Sequence, residues 1–320
     1  MRRFLSPMHV LVAAICVAAI APLFVNQYKI FAGNLAFIYI ILALGLNLLL
    51  GYTGLLAFVN AALFGIGAYA TAIARTKFGL PYGVALPVGA CTALLIGLLG
   101  ALPALRLSGL YLALATISLA QFAVWIFSHW SSVTGGPTGV QIAAIQYGTP
   151  GSWETTHYYV SLVIAVGLIA MTSRILQSRI GRAFVAIRES EVAAEGLAID
   201  LTRTKTMAYG LSALYAGIAG GLFAPILTLV VPESYDLFQV IVQFAMVVVG
   251  GLGSIAGAIL GAVGLIGLQE ALRATKELQE IAFGGMILLT VLFLPSGIAG
   301  LLRKYFVEWR EPLHRKADRA

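Results

Sequence analysis

Charge is scarce in this sequence. Of its 320 residues only 10% are Asp, Glu, Lys or Arg, 60% are hydrophobic, and the mean hydropathy is +0.94. A soluble domain carries about 25% charged residues, so this chain has too few to cover a surface facing water. Cysteine is nearly absent. Cys16 and Cys91 both sit inside apolar runs, which excludes a disulfide framework and leaves two small hydrophobes. No Gly-x-x-x-x-Gly-Lys-Ser/Thr string occurs, so the chain has no phosphate-cradling loop and cannot bind ATP that way. The four histidines, His9, His129, His157 and His314, are scattered without metal-ligand or catalytic spacing. Paired acids, His/Cys clusters and nucleophile motifs are also missing. A membrane enzyme is therefore disfavoured, and no metal or cofactor is expected.

What is present is long apolar runs. With a bilayer as solvent, every backbone polar group needs a partner within the protein, which only helices or a closed barrel provide. Barrel strands alternate apolar and polar residues. These runs are continuous, so the fold class is an all-α integral membrane protein. A span needs roughly 20 mostly apolar residues, and ten stretches qualify: 8–25, 34–51, 54–74, 83–104, 108–128, 157–175, 206–230, 237–252, 254–270 and 281–302. The eighth and ninth are short and meet at Gly250, Gly251 and Gly253, which predicts tilted, broken or re-entrant helices there. The whole chain, 1–320, reads as one transmembrane domain.

The net charge of +7 points to basic loops at a membrane face rather than to nucleic acid. With the N-terminus in the cytoplasm, ten spans return the C-terminus to the same side. The cytoplasmic segments then hold Arg2, Arg3, Arg106, Arg174, Arg179, Arg182, Arg188, Arg203, Lys205 and the basic residues from Arg303 onward, 15 of the 20 in all. Lysine and arginine concentrate on the cytoplasmic side of membrane proteins, so this orientation is preferred. Tyr28, Tyr82, Trp130, Trp153, Tyr158, Tyr159 and Tyr235 fall at the outer ends of spans, and Tyr52, Tyr111, Tyr305 and Trp309 near the inner face, as interfacial aromatic belts do. The basic start, apolar stretch and Ala19-Ile20-Ala21 of the first span also fit a cleaved signal peptide; removing it would leave an external N-terminus.

Two loops exceed what connection requires. The outer one, 129–156, carries the turn-forming strings Thr134-Gly135-Gly136-Pro137-Thr138-Gly139 and Gly148-Thr149-Pro150-Gly151. The inner one, 174–205, is rich in helix formers. Within 180–197, Phe184, Ile187, Glu191 and Ala194 share a helical face, with Phe184 and Ile187 as an apolar anchor. Gly181, Arg182, Arg188, Glu189 and Glu195 flank it, and Gly196 is placed to end the helix in a left-handed conformation. This segment is too short and too charged to span. It reads either as a solvated amphipathic connector or as a helix that docks in a groove of a cytoplasmic partner. A faint internal echo links Leu50-Gly51-Tyr52-Thr53-Gly54 with Gly250-Gly251-Leu252-Gly253-Ser254, two small-residue turns on the inner face. Transporters are often built from repeats.

Several strings carry a family likeness. Gly45-Leu46-Asn47-Leu48-Leu49-Leu50-Gly51-Tyr52-Thr53-Gly54, Phe64-Gly65-Ile66-Gly67-Ala68-Tyr69, and Leu110-Tyr111-Leu112-Ala113-Leu114-Ala115-Thr116 form its first part. Thr134-Gly135-Gly136 with Gly139, Ser178-Arg179-Ile180-Gly181-Arg182-Ala183, Val248-Val249-Gly250-Gly251-Leu252-Gly253-Ser254, and Leu292-Phe293-Leu294-Pro295-Ser296-Gly297 complete it. In this order, from about residue 35 to 302, the chain resembles the branched-chain amino acid permeases of ABC importers, most closely their larger, M-type subunit. The resemblance implies a transport subunit of the bacterial inner membrane, not an enzyme. It implies a second homologous permease, two cytoplasmic ATPases and a periplasmic substrate-binding protein as partners. It also implies that Glu191-Val192-Ala193-Ala194-Glu195-Gly196 corresponds, with compressed spacing, to the importers' ATPase-coupling loop. One departure stands out: Phe58-Val59-Asn60 lies where the family reads Phe-Gly-His. Members of this family also carry urea, short amides and other small solutes.

No Asp, Glu, Lys or Arg falls at a span centre, which disfavours an ion-coupled secondary carrier. Polar residues at membrane depth are Asn47, Asn60, Thr116, Ser118, Gln121, Gln239 and Gln243. Each reads either as interhelical glue or as pathway lining; Asn47, Phe58 and Asn60 are the candidates for the substrate path. Gly65, Gly67, Gly217, Gly220, Gly221, Gly257 and Gly261 are expected to mark close helix packing.

Overall fold

A computed structural model of the chain describes residues 17–24, 26–104, 107, 109–142, 153–272, 276–294 and 297–300. Most of the first expected span, the string at Gly148–Gly151, Pro295 and Ser296, and Arg2, Arg3, Arg106 and Arg273 lie outside the described residues. So do Cys16, His9, His314 and everything from residue 301 on.

The long helices are α1 (Gln27–Leu46, continued by a π-helical turn Asn47–Tyr52), α2 (Asn60–Thr76), α3 (Tyr82–Ala104), α4 (Gly109–His129) and α5 (Trp153–Gln177). Two short helices follow, α6 (Arg179–Glu189) and α7 (Glu191–Gly196). Then come α8 (Leu201–Leu227), α9 (Leu237–Gly250), α10 (Ile255–Ala271) and α11 (Lys276–Phe293). Among the described residues six segments are long and apolar enough to cross a bilayer: Gln27–Tyr52, Tyr82–Leu102, Gly109–His129, Trp153–Gln177, Leu201–Leu227 and Pro232–Gly250. The protein is an all-α, multi-pass membrane protein. α9 has 14 residues and α10 has 17, or roughly 21 and 26 Å at 1.5 Å per residue, against a hydrocarbon core of about 30 Å. They are short, as expected, and turn at Gly251 (φ 121°) and Gly253 (φ 69°).

α8 is the central column, packed against α1, α2 and α3. Lipid offers no hydrophobic drive for helix association, so close van der Waals fit must hold helices together, and small residues permit it. A methyl group on Gly217 would meet the Ala93 side chain at 2.6 Å, and one on Gly67 would strike the Gly217 backbone at 2.6 Å. Gly65 lies under the rings of Phe127 and Tyr235, and Gly257 and Gly261 seat α10 on the backbone of α9. Pro225 lies inside α8 and cannot donate to the carbonyl of Gly221 four residues back. Tyr82 of α3 donates its hydroxyl to that carbonyl at 3.0 Å instead.

One expectation needs correction. The sequence places a helical start of the third span at 54, but Gly54–Val59 runs outside the helix. Gly54 turns in the left-handed region (φ 75°), and the Phe58 N–H leaves the helical ladder to donate to Thr116 Oγ1 at 3.0 Å. The outer loop is tied to the bundle. Its first part forms a two-residue β1 (Val140–Gln141) that pairs antiparallel with β2 (Leu229–Val230), with Val140 opposite Val230.

Candidate functional site: the coupling helices and the turns above them

Two sets of helix ends can be told apart by their contacts. The start of α1 meets the end of α10 through Tyr28 and Glu270. The start of α5 meets α8 near its end, where His157 donates to the Leu222 carbonyl at 2.9 Å. At the opposite ends lie α6, α7 and the two glycine turns. This is the end that the Lys/Arg bias assigns to the cytoplasm, and it is called inner hereafter.

Ser178 starts α6 by accepting from the Ile180 N–H at 3.1 Å, a serine cap that satisfies one orphan donor. Gly181 allows the turn: a side chain there would run into the backbone of Leu176. The segment is not one helix through 180–197. Ser190 is extended (φ −167°, ψ 118°) and caps α7 by accepting from the Ala193 N–H at 3.2 Å. Gly196 ends α7 without a left-handed turn. That conformation falls on Ala198 (φ 59°), with Ile199 N–H donating to Ala194 O at 3.1 Å and Ala198 N–H to Glu195 O at 2.9 Å. This is the Schellman pattern with alanine in the place glycine favours.

The apolar anchor is also reassigned. Phe184 and Ile187 are fully buried in the chain's own core, so they hold α6 to this protein rather than to a partner. Ala194 is buried with them. Glu191 pairs with Lys205 of α8 at 2.7 Å; Lys205 is only 5% exposed, so its charge is expensive without that carboxylate. What faces outward is different: Val192 is 82% and Leu197 73% exposed. Arg182, Glu189 and Glu195 surround them as exposed charges, and Gly196 is exposed too.

Arg188 reaches upward. Its Nη1 donates to the Gly51 carbonyl at 2.8 Å, and its stem lies so close to Gly54 that a methyl there would meet it at 3.2 Å. Gly253 is equally near its guanidinium. The two turns that echo one another in sequence are therefore brought together over α6. Asn47 clasps them: its Oδ1 accepts from the Gly253 N–H at 2.9 Å and its Nδ2 donates to the Ser254 carbonyl at 2.8 Å. Gly297, in the left-handed region (φ 65°), lies against the Gly251 backbone.

Deeper in the bundle, Asn60 is buried with its Nδ2 donating to Gln243 Oε1 at 3.2 Å and its Oδ1 accepting from Ser212 at 3.0 Å. Tyr39 and Gln239 exchange hydrogen bonds of 3.3–3.4 Å. Of the three pathway candidates, Asn47 and Asn60 are thus placed as links between helices. Phe58 is half-buried and packs its ring against Phe244, centroids 5.5 Å apart. Ser212 escaped the sequence reading, and Lys205 and Gly297 entered it only as a basic loop residue and as part of a family string, without a partner. Gln239 and Gln243 share a helical face by their i, i+4 spacing, which is the signal that would have paired them.

Comparison with known proteins follows this geometry. The family described as the branched-chain amino acid transport system permease component matches residues 30–292. The high-affinity branched-chain amino acid transport system permease protein LivM of Salmonella typhimurium is 31% identical over 318 residues, covering 92% of this chain and 75% of that relative; LivM of Escherichia coli K12 matches to the same extent. The probable permease LivH of Methanocaldococcus jannaschii is 26% identical, covering 85% of this chain and 90% of that protein. No solved structure gives a significant match. The matched family segment runs from α1 into α11 and contains the clasped turns and both short helices α6 and α7, and the chain belongs to the branched-chain amino acid transport permease family.

Proposed function

We propose that this chain is the transmembrane permease subunit of an ABC importer for branched-chain or related small amino acids. It works in the bacterial inner membrane with a second homologous permease, two cytoplasmic ATPases that hydrolyse ATP, and a periplasmic binding protein that delivers the solute. Ten spans, with both termini cytoplasmic, agree with the alternation of the described helices and the basic inner loops.

The observation that carries this reading is the construction of the inner loop. A solvated connector needs no buried face, yet α6 is fastened by Phe184 and Ile187 and tied to both turns by Arg188. Meanwhile α7 presents Val192 and Leu197 to the cytoplasm. A short helix with an exposed apolar tip suits a groove in a partner, and Arg188 of the adjoining α6 reaches the ends of α1 and α10. ATPase movement would reach the spans through this contact.

Val192→Glu combined with Leu197→Glu places two charges in the contact while touching no buried residue. The purified double variant is expected to keep its fold and its partner permease and to lose the co-purifying ATPase. A wild-type chain that purifies without an ATPase and moves leucine into liposomes without ATP would overturn the importer reading in favour of a secondary carrier.

A further inference from the structure

The outer ends of α1, α8 and α10 diverge around a cleft of about 320 Å³, the small end of the range that ligand pockets occupy. Its walls are apolar, with Phe31 and Leu35 from α1, Phe223 and Leu227 from α8, and Ile266 from α10. Its floor is the ring of Tyr39, held by Gln239. Its mouth is polar: Tyr28 donates its hydroxyl to the Glu270 carboxylate, with Gln269 alongside.

Two features give this mouth a sign. Among the described residues none that lines the cleft is cationic, so none of them offers Glu270 a counter-charge. Glu270 also sits in the last turn of α10, which ends at Ala271, where the helix dipole places negative potential and favours a cation. An ammonium entering there satisfies both the carboxylate and the helix end. Below it the walls accept an aliphatic or aromatic side chain, and neither asks for a second charge.

We propose that this cleft is an entry subsite for an apolar amino acid. The ammonium of the ligand lies on Glu270, its carboxylate stays at the wet mouth beside Gln269, and its side chain lies between Phe31, Leu35 and Phe223. This rests on the amino acid transport reading and adds a recognition element to it. Tyr28 acts as a positioning residue that aims the Glu270 carboxylate. Acidic amino acids are rejected by like charge.

The test has two arms, both on the assembled transporter in proteoliposomes. In the first, Ala32→Cys is introduced on the cleft wall of a chain carrying Cys16→Ser and Cys91→Ser, and the new thiol is labelled from outside with small thiosulfonates of either charge. The cationic reagent is expected to react several-fold faster than the anionic one, and Glu270→Gln is expected to abolish that preference. Failure of both reagents to label the introduced thiol means lipid fills the cleft and overturns the proposal; equal rates overturn it as well. In the second arm, leucine moved per ATP hydrolysed is measured at saturating loaded binding protein. Glu270→Gln is expected to lower it about tenfold, with Glu270→Asp recovering much of the loss. A ratio unchanged by Glu270→Gln overturns the proposal and leaves the importer reading intact. A wild-type complex that hydrolyses ATP without moving leucine would instead count against the transport reading, since the labelling arm reads the cleft independently.

Discussion

Asn47 uses both ends of one amide to join two turns, accepting from Gly253 and donating to Ser254. It is 1% exposed, so water cannot replace either bond. Asn47→Ala removes the acceptor of the buried Gly253 N–H and one of the two donors on the Ser254 carbonyl, which keeps the Ala258 N–H, a cost of about 1–3 kcal/mol. The thermal midpoint of the purified variant in detergent is expected to fall by several degrees, and an unchanged midpoint would mean the clasp is dispensable. Residue chemistry was partly legible in the sequence. Asn47, Asn60, Gln239 and Gln243 announce themselves as amides in hydrocarbon, which must find partners. The choice between path lining and helix linkage was not legible, because Asn60 finds its partner 183 positions away in Gln243, and no local pattern encodes that distance.

Among the elements, apolar runs locate the spanning helices well, since length and hydropathy are set by the bilayer itself. Breaks are harder to read. Arg188-Glu189-Ser190-Glu191-Val192 has good helix formers on both sides, and the interruption comes from Ser190 preferring to cap α7. The β1–β2 pairing was not visible either, because two residues per strand carry no periodic signal. Alanine at the left-handed position after α7 is a specific local cost: a Cβ there is strained by roughly 1–2 kcal/mol. Ala198→Gly is expected to recover about 1 kcal/mol of that local strain. Hydrogen exchange at residues 191–199 should slow several-fold; exchange as fast as in the parent chain would contradict the account.

At the level of the whole molecule, the proposed importer reading assigns docking and transmission to different side chains. Val192 and Leu197 are exposed, whereas Arg188 faces Gly51 and Gly253. Arg188→Ala removes the tie while leaving the exposed tip untouched. The variant is expected to retain co-purifying ATPase and to hydrolyse ATP, yet to move severalfold less leucine per ATP, measured in proteoliposomes. Loss of the ATPase from this variant would show that Arg188 serves docking instead. The sequence echo between the two glycine turns gains a physical meaning at this scale: both are narrow because they approach each other and the same guanidinium closely.

The clasp also bears on how the chain is made. Asn47 and Ser254 are 207 positions apart. At roughly 5–20 residues per second of synthesis, the ribosome spends on the order of 10–40 s between delivering one and the other. Throughout that interval the amide of Asn47 is already inside the membrane without its final partners, while α1 has only α5, α8 and the other earlier helices to pack against. The inner end of the bundle is therefore sealed late, by the last third of the polypeptide. A nascent chain stopped before residue 254 exposes an unmatched amide that quality-control proteases acting in the bilayer can recognise.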